Sequence, residues 1–89
     1  MKVIKINAMW CSGCLVMNKV WKKIISNYVF DVVELDYDMN EDEVKKYNPG
    51  NILPVFIFLD ENREIGRIVG EKNENEFIRL MVEMGIVNE

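Results

Sequence analysis

Cys11 and Cys14 are the only cysteines in the 89-residue chain, with two residues between them. That spacing lets two sulfurs meet across one helical turn and close a disulfide, so the chemistry in view is thiol–disulfide exchange. Cys11 would attack a disulfide and form a mixed disulfide. Cys14, one turn inside and more buried, would then attack Cys11 and release the reduced product; run backward, the steps oxidise a dithiol. There is no histidine, which excludes a serine or cysteine nucleophile served by an imidazole base. A four-ligand zinc site within one chain is also hard to assemble from two thiolates and carboxylates alone. The other readings of the pair are a structural disulfide, which a cytosolic chain would rarely keep, and a metal site shared across a dimer.

The elements that must position the pair read as α/β, in the order β-α-β-α-β-β-α. Val3, Ile4 and Ile6 make Lys2 to Ala8 a buried strand. The helix after it opens near Cys11 and runs to about Asn27, with Met17, Val20, Trp21, Ile24 and Tyr28 on one face. Asn18, Lys19, Lys22, Lys23 and Ser26 are expected on the solvent side. Phe30 to Asp36 gives a second strand, and Asn40 with Glu43 resembles a capping box opening a short helix that stops before Pro49-Gly50. Val55 to Leu59 is continuously apolar, a strand covered on both faces. Asp60-Glu61-Asn62 turns the chain into a fourth strand, Glu64 to Val69. Asn73 and Glu76 cap a last helix whose Phe77, Leu80, Met81 and Met84 form an apolar stripe ending at Gly85. Strands one and two should run parallel through a right-handed crossover, strands three and four antiparallel, with helices on both faces of a mixed four-stranded sheet.

A strand that delivers the pair to the opening of a helix has a chemical consequence. The free N–H groups and the positive end of the helix dipole favour a thiolate, and the first cysteine is better placed and more exposed than the second.

Composition bounds the partners. The chain is 49% hydrophobic and 29% charged, with net charge −4, enough for a core within a single domain over residues 1–89. The one basic cluster, Lys19, Lys22 and Lys23, has helical spacing and reads as a solvated face, so no nucleic-acid partner is expected. No run approaches the roughly 18 apolar residues that cross a bilayer, so no membrane partner is expected. Met1 to Asn7 has a basic start, but Lys5 breaks its short apolar stretch; that is too little for a signal peptide, and a cytoplasmic location is expected.

The chain resembles the thioredoxin superfamily over essentially its whole length. The resemblance rests on Ala8-Met9-Trp10-Cys11-Ser12-Gly13-Cys14, on Leu53-Pro54 ahead of the third strand, and on Gly66 and Gly70 flanking the fourth. It implies that Pro54 is a cis proline packed opposite the cysteines, that the Leu53 backbone pairs with an extended substrate segment, and that Trp10 is a contact surface beside the site. It also implies protein disulfides as substrates, a thioredoxin-reductase-like electron donor, and no cofactor beyond the redox-active Cys11–Cys14 disulfide. A monomer is expected. In size the chain is nearer to glutaredoxins and short archaeal-type thioredoxins than to full-length ones. It departs from the family in its Ser-Gly spacer, where thioredoxins have Gly-Pro and glutaredoxins usually Pro-Tyr, and in Val55 after Pro54, where threonine is common.

Lys5 sits in a strand that the fold should bury. On this likeness it stands where thioredoxins keep a buried acid beneath the second cysteine, and Glu34 stands where they keep a lysine. A buried lysine needs a partner, so a swapped Lys5–Glu34 pair is the expectation, with Glu34 or a neutral Lys5 taking the proton of Cys14. The plainer reading has Lys5 snorkelling to the sheet edge and Glu34 solvated. For Pro54 it is an ordinary strand-initiating proline; Trp21, in phase with Met17 and Ile24, is core. Two functions follow: a thiol–disulfide oxidoreductase that turns over, or a binding module whose dithiol only switches an interaction. A pure binding module needs none of Trp10, the two cysteines and Pro54.

Overall fold

The computed structural model describes residues 1–88; Glu89, the last residue of the expected domain, lies outside the described residues. The elements are β1 Lys2–Asn7, α1 Ser12–Asn27, β2 Asp31–Asp36, α2 Glu41–Lys45, β3 Val55–Asp60, β4 Arg63–Val69 and α3 Glu74–Glu83. This is the order the hydrophobic periodicities predict. The four strands lie in the order β2-β1-β3-β4. β1 runs parallel to β2 and antiparallel to β3, and β3 runs antiparallel to β4. β1 and β3, with the longest apolar runs, therefore take the middle of the sheet, and the more polar β2 and β4 take its edges.

The pleat sends alternate residues to two different cores. On one face Val3, Phe56, Phe58 and Ile68 meet Met17, Trp21 and Ile24 of α1 and Phe77 and Met81 of α3. On the other, Ile4, Ile6, Val55 and Ile57 meet Val44 of α2, Leu53 and the two cysteines. Phe30 falls just outside β2 and packs edge-on against Phe58 with centroids 5.8 Å apart.

Turn chemistry closes the ends. Glu61 and Asn62 have φ of 52° and 67°, the left-handed pair of a two-residue hairpin turn whose twist suits the flanking strands. Asn73 caps α3 as expected, its side chain accepting from the Glu76 N–H at 2.8 Å. Gly85 ends α3 at φ 74°, and the Ile86 N–H reaches back to the Met81 carbonyl at 2.9 Å.

Two local expectations fail. Asn40 makes no side-chain cap on α2; its Oδ1 instead accepts from the Asp36 N–H at 2.8 Å, because the end of β2 competes for the same oxygen. Gly66 lies inside β4 rather than at its edge, opposite Phe58. It is glycine because the Met84 side chain occupies the space a Cβ would need. Met84 itself is only partly buried, while Met81 is fully so.

Candidate active site

β1 carries the chain to Ala8, and the turn that follows places Cys11 as the N-cap of α1 with extended backbone, φ −94° and ψ 105°. A cap residue accepts from the free amides of the first helical turn, and here the acceptor is sulfur. The Cys14 N–H points at Cys11 Sγ at 3.2 Å. Cys14 lies one turn inside α1. Both cysteines are free thiols.

Opposite them, the Leu53–Pro54 peptide bond is cis and Pro54 is fully buried. The Cys11 thiol faces the Leu53 carbonyl oxygen at 3.6 Å. That contact explains a departure from the expected contrast between the sulfur-bearing residues. Cys11 is 9% exposed and Cys14 4%, so the first cysteine is nearly as covered as the second. Burial pushes the Cys14 thiol up from 9.0 to about 11; the hydrogen bond with Cys11 adds to this, and the Ala8 backbone and the Lys5 ammonium pull the other way.

Trp10 is 61% exposed yet fixed in place. Its Nε1 donates to Asp38 Oδ2 at 2.7 Å, and its ring stands edge-on to Tyr37 with centroids 6.0 Å apart. Trp21 is buried between Phe56 and Phe77, 4.9 and 5.9 Å away.

Lys5 and Glu34 are direct partners in the parallel β1–β2 register. Lys5 is 4% exposed and its Nζ lies 3.3 Å from Glu34 Oε1. It does not snorkel. Its shorter hydrogen bond, 2.8 Å, goes to Asn18 Oδ1, which turns Asn18 inward from the solvent face expected of it. Asn18 follows Cys14 by one helical turn, so the ammonium sits on the same side of α1 as the Cys14 thiol. Lys5, Asn18, Trp21, Lys22, Ile25 and Glu34 help line a cleft of about 430 Å³ between α1 and β2. Sequence reasoning assigns no role to Tyr37 or Asp38 and places Asn18 in solvent. The legible signal for Asn18 is the buried cation expected on the strand beneath it, which needs partners.

A sheet of this order, with a Cys-x-x-Cys at the head of a helix facing a cis proline, defines a class of α/β dithiol proteins. A family model described as Thioredoxin matches residues 1–83, and the chain belongs to the thioredoxin family. Thioredoxin H2-1 of Oryza sativa subsp. japonica is 36% identical over 76 residues, covering 83% of this chain and 54% of the relative. The chain thus spans about half the length of the curated relatives it matches. Thioredoxin 1 of Thermosipho africanus has a TM-score of 0.79 at 24% identity, with both chains covered completely. The thioredoxin NaTrxh of Nicotiana alata has a TM-score of 0.81 at 26% identity, covering 93% of this chain and 71% of the other.

Proposed function

We infer that the chain is a thiol–disulfide oxidoreductase that reduces protein disulfides. The observation that carries the reading is Cys11 Sγ serving as the cap of α1, with the Cys14 amide aimed at it at 3.2 Å. In the first step the Cys11 thiolate attacks one sulfur of a client disulfide. The client S–S bond breaks, its other sulfur leaves as a thiolate and takes a proton from water, and a mixed disulfide remains. Cys14 then gives up its proton and attacks Cys11 Sγ; the client's second sulfur leaves as a thiol. Two electrons have passed to the client, and Cys11–Cys14 is a disulfide.

The division of labour follows from burial. A thiol pushed up to about 11 stays protonated near neutral pH, which suits Cys14 for the second step and leaves the first to Cys11. Trp10 and the Leu53 backbone, the latter held by the buried cis Pro54, form the surface on which an extended client segment rests. Lys5 has a narrower part than a proton acceptor. An ammonium already donating to Asn18 and Glu34 has no lone pair to offer; it lowers the cost of negative charge on Cys14 as that thiol deprotonates. Glu34, 63% exposed, is the group of the pair that can pass a proton to water.

The cycle needs no cofactor beyond the Cys11–Cys14 disulfide and is completed by a thioredoxin-reductase-like donor. The chain acts as a cytoplasmic monomer. Among the described residues no helix is long and apolar enough to cross a membrane. The test is turnover of a protein disulfide with dithiothreitol, alongside capture of clients by Cys14→Ser. Multiple turnovers, and client mixed disulfides on Cys11, are expected. One stoichiometric reduction without turnover would instead make the chain a redox-switched binding module, and trapping that depends on Cys14 would reverse the roles.

A further inference from the structure

The Ser12-Gly13 turn between the two cysteines has a neighbour from the far side of the sheet. A Cβ at Gly13 would lie 3.3 Å from Glu71 Oε1, 3.8 Å from the Leu53 carbonyl oxygen and 4.0 Å from Cys11 Sγ. The Glu71 carboxylate, the reactive sulfur and the backbone carbonyl that faces it therefore surround one small residue. Glu71 follows Gly70, whose φ of 87° turns the chain out of β4 toward the site, and it is exposed. Among the described residues no cation stands within salt-bridge distance of it. Its neighbour Lys72 donates to the Val69 carbonyl at 2.9 Å.

An unpaired carboxylate at this point is not neutral toward clients. Of the rest of the rim, Met9, Trp10 and Ile52 are exposed and apolar, and the exposed Asp38 carboxylate is already engaged by the Trp10 indole N–H at 2.7 Å. A client segment laid along Leu53 passes Glu71 as its disulfide meets Cys11. A lysine or arginine beside the client cysteine then supplies the cation that Glu71 lacks, and it offsets the repulsion between that carboxylate and the charge on Cys11. An aspartate or glutamate there adds a third negative charge. We propose that Glu71 is a specificity-determining residue that selects client disulfides flanked by basic residues and disfavours those flanked by acidic ones. The inference rests on the exchange reading above and names its substrate class.

The experiment uses the full reduced chain and three synthetic peptide disulfides that differ only in carrying arginine, glutamine or glutamate beside the cysteines. Rate constants for their reduction are measured at low and high salt. At low salt the arginine peptide should outpace the glutamate peptide by about fivefold, or about 1 kcal/mol for one rim charge pair. Glu71→Gln should remove most of that ratio and Glu71→Lys should invert it. Glu61→Gln, which deletes the same charge at the distant β3–β4 turn, should leave the ratio as in the parent and so separates Glu71 from the net charge. High salt should shrink the ratio in the parent. An equal ratio in the parent and Glu71→Gln, with all three peptides reduced, would overturn the selection and leave the exchange reading standing. No reduction of any peptide would overturn both.

Discussion

The two faces of the sheet are packed with different side chains. The face under α1 and α3 is aromatic: Trp21, Phe56, Phe58 and Phe77 sit within 4.9 to 6.4 Å of a neighbouring ring. The opposite face is aliphatic, is roofed by the five-residue α2, and ends in the two sulfurs and Leu53. The aromatic packing is concentrated under α1 and α3, and the two cysteines close the end of the aliphatic face. α1 serves both: its middle packs the aromatic core while its first turn holds the dithiol. The helix that must not move is thereby anchored away from the atoms that must react.

The largest effect that would test this division is on activity alone. Cys11→Ser should abolish reduction of a protein disulfide while the thermal midpoint stays near that of the parent, since serine can also cap α1; residual turnover would refute Cys11 as the attacking thiol. Next in size is the contrast between the cores. Phe77→Ala should cost about 3–5 kcal/mol in denaturant unfolding, and Val44→Ala on the aliphatic face about 1–2 kcal/mol for its two methyl groups. Equal losses would remove the comparison.

The smallest effect concerns the seam between the two. Lys5→Met should raise the pH at which Cys14 deprotonates above about 11, because the ammonium counteracts the burial that raises it. It should also slow resolution of a mixed disulfide. Site-resolved alkylation against pH reads the first and quenched single-turnover assays the second; no change in either would end the role of Lys5. The sign for stability follows. The fold favours the neutral Cys14 thiol, so that contribution is complete below 9.0 and is lost as pH rises through about 11.

Much of this was legible in the chain because strands and helices here obey their periods. Apolar runs mark β1 and β3 as buried strands, which the sheet then places at its centre, and the Met17–Trp21–Ile24 stripe marks the inward face of α1. Lys5 stands out because it breaks one of those runs, the likeness to thioredoxins points to Glu34, and the β1–β2 register pairs the two. What stayed illegible depended on contacts across the sheet. Asn18 looks like a solvent residue until a strand 13 residues earlier aims an ammonium at it. Asn40 carries a capping sequence, but its oxygen is taken by Asp36. The near-burial of Cys11 depends on a carbonyl 42 positions away, and no local pattern encodes that distance.

One consequence of the cap remains. In the exchange proposed above, the atom that caps the first turn of α1 is also the atom that changes partner. The Cys14 amide has a second acceptor that exchange leaves untouched, the Cys11 carbonyl oxygen at 3.2 Å. The backbone therefore holds the helix end closed while its sulfur is free to change partner, so the scaffold of the first turn and its reactive atom are separate parts of one residue.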